Sequence, residues 1–108
     1  MRTTPAIPLP VKRALTKLGG DIRSARIRRR ITAHVMAERS FITRTTLRKV
    51  ERGDPTVTMA SYATVLFVLG LSDRLSALAD ISQDDLGLQL EEERLPRRVR
   101  GPGSSAKS

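Results

Sequence analysis

Between Ile31 and Gly53 the chain spells out two short helices and the sharp turn that joins them. Thr32 is an N-cap candidate, because its hydroxyl can accept from a backbone N–H of the following first turn. Val35 and Met36 would then face inward. Ser40 to Ile42 breaks the pattern, and Thr43 is placed to cap again. The second helix carries Leu47 and Val50 three residues apart and stops at Gly53, a residue free to enter the left-handed region. Asp54 and Pro55 close it off, since proline cannot continue the hydrogen-bond ladder. Small Ala37 stands where the two helices would cross. Ile42 plugs the core after the turn, and Met36, Leu47 and Val50 fill the space between. That inward set leaves Arg44, Thr45, Arg48 and Lys49 facing solvent.

The flanking sequence adds helices on both sides. Met1 to Pro10 holds three prolines and reads as an irregular arm. Val11, Leu15, Leu18, Ile22 and Ala25 recur in steps of four and three, the mark of one helix face. Gly19 and Gly20 interrupt that stripe, so the helix either starts at Pro10 with a weak spot or divides, with Asp21 as a new cap. Thr58 caps a helix with Met59, Tyr62, Val65, Leu66 and Leu69 inward, ending at Gly70. Ser72 caps another from Asp73 to about Asp80. Beyond it, Leu86, Leu88 and Leu90 alternate, which suits a short strand or a helix. The tail from Gly101 is rich in Gly, Ser and Pro and is expected to be disordered. The expected fold is all-α: a compact five-helix bundle with a C-terminal extension. Its parts are an arm at 1–10, a domain at 11–81, a dimerisation or partner-binding extension at 82–100 and a tail at 101–108.

Charge separates these parts. Nine Lys/Arg face one acid from Met1 to Ile31, whereas one base faces seven acids from Met59 to Glu93. Within a net charge of +9, one region can meet a polyanion while another repels it. With no cysteine and one histidine, His34, zinc constellations and nucleophile–base pairs lack parts. No glycine-rich phosphate loop is present; Gly19-Gly20 does not fit one. The acids Asp84-Asp85 and Glu91 to Glu93 read as a solvated face. We therefore expect no enzyme, no metal and no cofactor. No apolar run approaches the ~20 residues of a membrane span, and no apolar signal segment opens the chain, so a cytoplasmic location is expected.

The exposed residues after Thr43 carry the functional reading. A basic helix of this kind fits the DNA major groove with its N-terminal end against the bases, where arginine can pair two-pronged with guanine. Arg44, Thr45, Arg48 and Lys49 are the expected base contacts. Thr32, Thr43, Thr46 and Arg52 are the expected phosphate contacts. Phe67 and Val68, off the inward stripe, either widen the core or meet a twin or partner.

From about Leu18 to Leu71 the sequence resembles the Xre/Cro-like helix-turn-helix family. Arg26, Ile31-Thr32, Met36-Ala37-Glu38, Ile42-Thr43-Arg44, Thr46-Leu47, Val50 to Gly53, Pro55 and Leu69 to Leu71 carry the likeness. The resemblance implies a structural salt bridge between Arg26 and Glu51, tying the first helix to the recognition helix. Two positions depart from the family: Ala33 stands where a glutamine commonly helps hold a phosphate, so that the resemblance leaves the phosphate contact there to the Ala33 backbone amide, and Phe41 stands where the turn usually holds glycine. A left-handed Phe41 would be strained, so a remodelled turn is expected. The segment Asp85 to Arg100 looks like the tail of HipB-like antitoxins. It implies a homodimeric repressor of its own operon that binds operator DNA and a HipA-like toxin kinase, with Leu86, Leu88, Leu90 and Leu95 as dimer or partner contacts. A stand-alone regulator, and an interaction module that inhibits an enzyme without DNA, are the alternatives.

Overall fold

The computed structural model describes residues 6–94. Leu95 and the tail arginines lie outside the described residues, as does the first half of the arm. Among the described residues the regular structure is all helix, joined by turns and loops: α1 (Leu9–Arg28), α2 (Ala33–Arg39), α3 (Arg44–Glu51), α4 (Met59–Val68), α5 (Ser72–Ser76) and α6 (Asp85–Arg94), with a 3₁₀ turn at Ile81–Gln83. It divides into two compact units, Met1–Leu75 and Ser76–Ser108.

Local chemistry sets the helix starts. Thr32, Thr43 and Thr58 each accept from the amide three residues on, Val35, Thr46 and Ser61 respectively, at 3.0–3.2 Å. Each such cap is worth about 1 kcal/mol against alanine. Pro10 enters the first turn of α1, where its missing N–H leaves no bond unmade.

The helix ends follow one pattern. In α1 to α4 the chain turns through a left-handed residue while the next amide reaches back five residues. The bonds are Ile31 N–H to Arg26 C=O, Ile42 to Ala37, Asp54 to Lys49 and Leu71 to Leu66, at 2.8–3.2 Å. These are Schellman closures, which satisfy carbonyls left over at the helix end. Glycine occupies the left-handed position in two of them, Gly53 and Gly70. Arg30 and Phe41, both at φ +57°, occupy the other two. The turn at Phe41 is therefore not remodelled: Phe41 takes the strained conformation outright, and Arg30 does the same unannounced by the sequence.

The core of the first unit is Ile22, Ala25, Met36, Ala37, Leu47, Val50, Tyr62, Val65, Leu66 and Leu69, with Leu18, Ile31, Ile42, Val57, Val68 and Leu75 packed against it. Helix α1 is one continuous piece. Gly19 is required rather than weak: a Cβ on it would stand 2.5 Å from both the amide nitrogen of Gly53 and the carbonyl oxygen of Val50. Glycine at that point lets α1 touch the backbone at the end of α3. Gly53 returns the contact, since a Cβ there would collide with the Leu15 carbonyl, and its φ of +73° also favours glycine.

Two inward assignments and one helix boundary need correction. Val11 and Met59 are exposed, because each lies in the first turn of its helix, beyond the edge of the core. The helix expected from Asp73 to about Asp80 ends at Ser76. In the second unit the leucine-rich segment is helix rather than strand. Asp84 caps it, its Oδ1 accepting from the Gly87 amide at 3.0 Å. Leu86, Leu88 and Leu90 are all exposed, since a two-residue step spreads side chains around a helix instead of along one face.

Candidate nucleic-acid interface

The inner side of α3 is fixed by Leu47 and Val50, which are at most 1% exposed. This anchoring orients the rest of the helix. Arg44, Thr45 and Arg48 are exposed and Lys49 is half-buried. Thr43 and Arg52, which flank the helix, are exposed too. The acid of α3, Glu51, is turned into the protein.

There Glu51 meets Arg26 of α1. Arg26 Nε donates to Glu51 Oε2 at 2.6 Å and its Nη2 to Oε1 at 3.1 Å, the two-pronged geometry that favours arginine. A third donor, Nη1, bonds the Ile31 carbonyl at 2.9 Å, at the approach to α2. The two side chains are 11% and 9% exposed, so the pair is largely withdrawn from water. One guanidinium thus joins α1, the start of α2 and α3. Glu51 is neutralised from within and does not oppose a polyanion at the outer face.

Above this pair lies a cleft of about 190 Å³, lined by Arg23, Arg26, Ala33, Arg44, Leu47, Arg48 and Glu51. Arg26 and Glu51 cancel, which leaves Arg23, Arg44 and Arg48 as net positive charge around the cleft. Arg23 is a residue the sequence reading missed. Its signal was present, one turn before Arg26 on α1, but its relevance depends on α1 lying against α3. Ala33, named for its amide, lines the same cleft, and its side chain packs against the core.

The threonines differ in what they can offer. Thr43 Oγ1 accepts from the Thr46 amide and donates to Thr46 Oγ1 at 2.9 Å, so its proton is committed. Thr46, half-buried, keeps its own O–H to donate. Thr32 likewise accepts from Val35 N–H and keeps its proton.

Behind α3 the loop to α4 is tied down. The Tyr62 hydroxyl donates to the Asp54 carbonyl at 2.8 Å. Asp54 Oδ1 accepts from the amide and hydroxyl of Thr56 at 2.8 and 2.6 Å, and these bonds hold its carboxyl below the usual range. Burial, with a smaller contribution from Asp54, pushes the Tyr62 phenol up.

The two residues singled out for docking part ways. Phe67 is 68% exposed, while Val68 is half-buried against the core. Among the described residues no group of His, Cys, Asp or Glu converges to hold a metal, and no helix is long and apolar enough to cross a membrane. No family model, no curated protein and no solved structure matches this chain.

Proposed function

We propose that the first unit is a sequence-specific reader of double-stranded DNA and that the chain acts as a repressor at an operator. The observation that carries this reading is the division of α3 into two sides. Its apolar residues and its one acid are turned inward, and Arg44, Thr45 and Arg48 are presented outward on a short, capped helix. Such a helix can enter the major groove N-terminus first. Arg44, Thr45, Arg48 and Lys49 would address base edges. Thr32, Thr46, Arg52 and the α2 amides around Ala33 would address phosphates, with Arg23 added from α1. Thr43 serves first as the cap that orders this end.

The repressor is proposed to act as a homodimer, because one such module reads only a few base pairs and two half-sites multiply the specificity. Exposed Phe67 offers the apolar contact. We further propose an antitoxin role in the cytoplasm, with a kinase-like toxin as partner. The support is the second unit, where Leu78, Ile81, Leu86, Leu88 and Leu90 are exposed and no described residue is buried. Apolar surface of this kind gains burial when a partner covers it.

The test is an electrophoretic shift of the DNA upstream of the chain's own gene across a salt series. The proposal expects a retarded complex that survives excess random competitor and weakens steeply with salt. Equal competition by random DNA would contradict sequence-specific reading.

A further inference from the structure

Phe41 combines two unfavourable features. It is a bulky residue held at φ +57°, and it is 92% exposed, the most exposed large apolar side chain among the described residues. Its neighbours leave it no room to relax. Ser40 before it is 2% exposed, Ile42 after it packs against the core, and the Phe41 amide is fixed on the Glu38 carbonyl at 3.2 Å. The left-handed conformation burdens any side chain that has a Cβ, and glycine would remove the burden. Nor does the ring gain packing in return. Both costs fall on the turn that delivers Thr43 and Arg44 to the exposed end of α3.

We propose that Phe41 is a DNA contact whose ring covers the 5-methyl group of a thymine at the edge of the site addressed by Arg44. The proposal rests on the DNA-reading role of α3 and adds an apolar element to it. Apolar side chains recognise thymine through that methyl group, which projects into the major groove. The surroundings favour this occupant over a protein surface. Thr43, Arg44 and Thr45 follow in the chain, all exposed and none acidic, and the exposed acid before the ring, Glu38, is matched by exposed Arg39, so a partner that covers the ring also meets an arginine and the positive end of α3. A polyanion with apolar groups in its groove satisfies both. The fixed turn also holds the ring in place before binding, which lowers the ordering cost of the contact.

The experiment pairs stability with binding. Phe41→Gly is expected to raise Tm by about 4 °C, because strain is relieved in a small domain. It is also expected to weaken binding to the chain's best duplex about fivefold, as for loss of one buried apolar contact. Duplexes with single thymine-to-uracil replacements locate the methyl. The full-length protein should lose affinity at one position per half-site, and Phe41→Gly should not. A Phe41→Gly chain that melts higher and binds as tightly as the original overturns the contact. Weakened binding with no uracil effect overturns the thymine assignment. Failure of the unaltered chain to bind any duplex would instead remove the DNA reading itself.

Discussion

Gly19 and Gly20 are adjacent in one helix, yet alanine at the two positions is expected to act with opposite sign. At Gly20 no atom lies within 4 Å of an added Cβ. Alanine there gains helix propensity and restricts the unfolded chain, a stabilisation of about 1 kcal/mol. At Gly19 the added Cβ would sit 2.5 Å from Val50 O and Gly53 N and 2.9 Å from the Glu51 carbonyl carbon, where ordinary contact begins near 3.4 Å. All three are backbone atoms, so no rotamer change relieves the clash. The helices must part by about 0.9 Å, the difference between those two distances. A gap of that size forfeits roughly a quarter to a half of the dispersion attraction across it, and here it opens beside Ile22, Leu47 and Val50. Overpacking of this kind costs about 1–3 kcal/mol, at the upper end where backbone must move. After the propensity gain of about 1 kcal/mol, the net loss is about 2 kcal/mol. In a domain of this size each kcal/mol moves Tm by about 4–8 °C. Thermal and urea unfolding should therefore place Gly20→Ala about 4–8 °C above the original chain and Gly19→Ala about 8–16 °C below it. A Gly19→Ala chain as stable as Gly20→Ala would refute the close approach of α1 and α3.

Other perturbations follow from the same contacts. Arg26→Ala or Glu51→Ala leaves a largely buried charge without its partner and should cost about 3–5 kcal/mol in DNA-free melts; unchanged melting of both variants would remove the bridge from the account. Arg44→Ala should weaken operator binding by about 1–3 kcal/mol and relax base preference at one position per half-site. An equal loss on random DNA would make it a phosphate contact, as its place in the cleft beside Arg23 also permits. Tyr62→Phe removes the bond to the Asp54 carbonyl and should cost about 1 kcal/mol at neutral pH. Because the folded phenol titrates above its ordinary value of 10.0, the original chain keeps this stability below pH 10.0 and loses it as pH rises beyond. Urea midpoints measured at pH 7 and pH 11 should show that alkaline loss in the original chain and a smaller one in Tyr62→Phe.

What could be read in the sequence was mainly what is settled within one turn of helix. Thr32, Thr43 and Thr58 announce themselves because a cap needs only its own hydroxyl and an amide three residues away. The stripe Tyr62, Val65, Leu66 and Leu69 was legible for the same reason, as periodicity. The all-helical class follows from these. Gly19 was opaque because its function lies in a backbone from α3, thirty and more residues on. Arg23 was hidden likewise, since the cleft exists only once α1 and α3 meet. For Asp85–Arg94, apolar spacing pointed to neither structure. The Asp84 cap and the run of good helix formers after it favour helix. The Arg26–Glu51 bridge was foreseen through family resemblance, and no spacing rule would have paired residues 25 apart.

The claim that α3 reads DNA sequence is tested most directly by selection of bound duplexes from a fully randomised pool at physiological salt. The account predicts convergence, within a few rounds, on a motif with two related half-sites about 10 base pairs apart. It also predicts that Arg44→Ala selects the same motif with one position per half-site relaxed. A pool that stays random while still being retained through charge would contradict it.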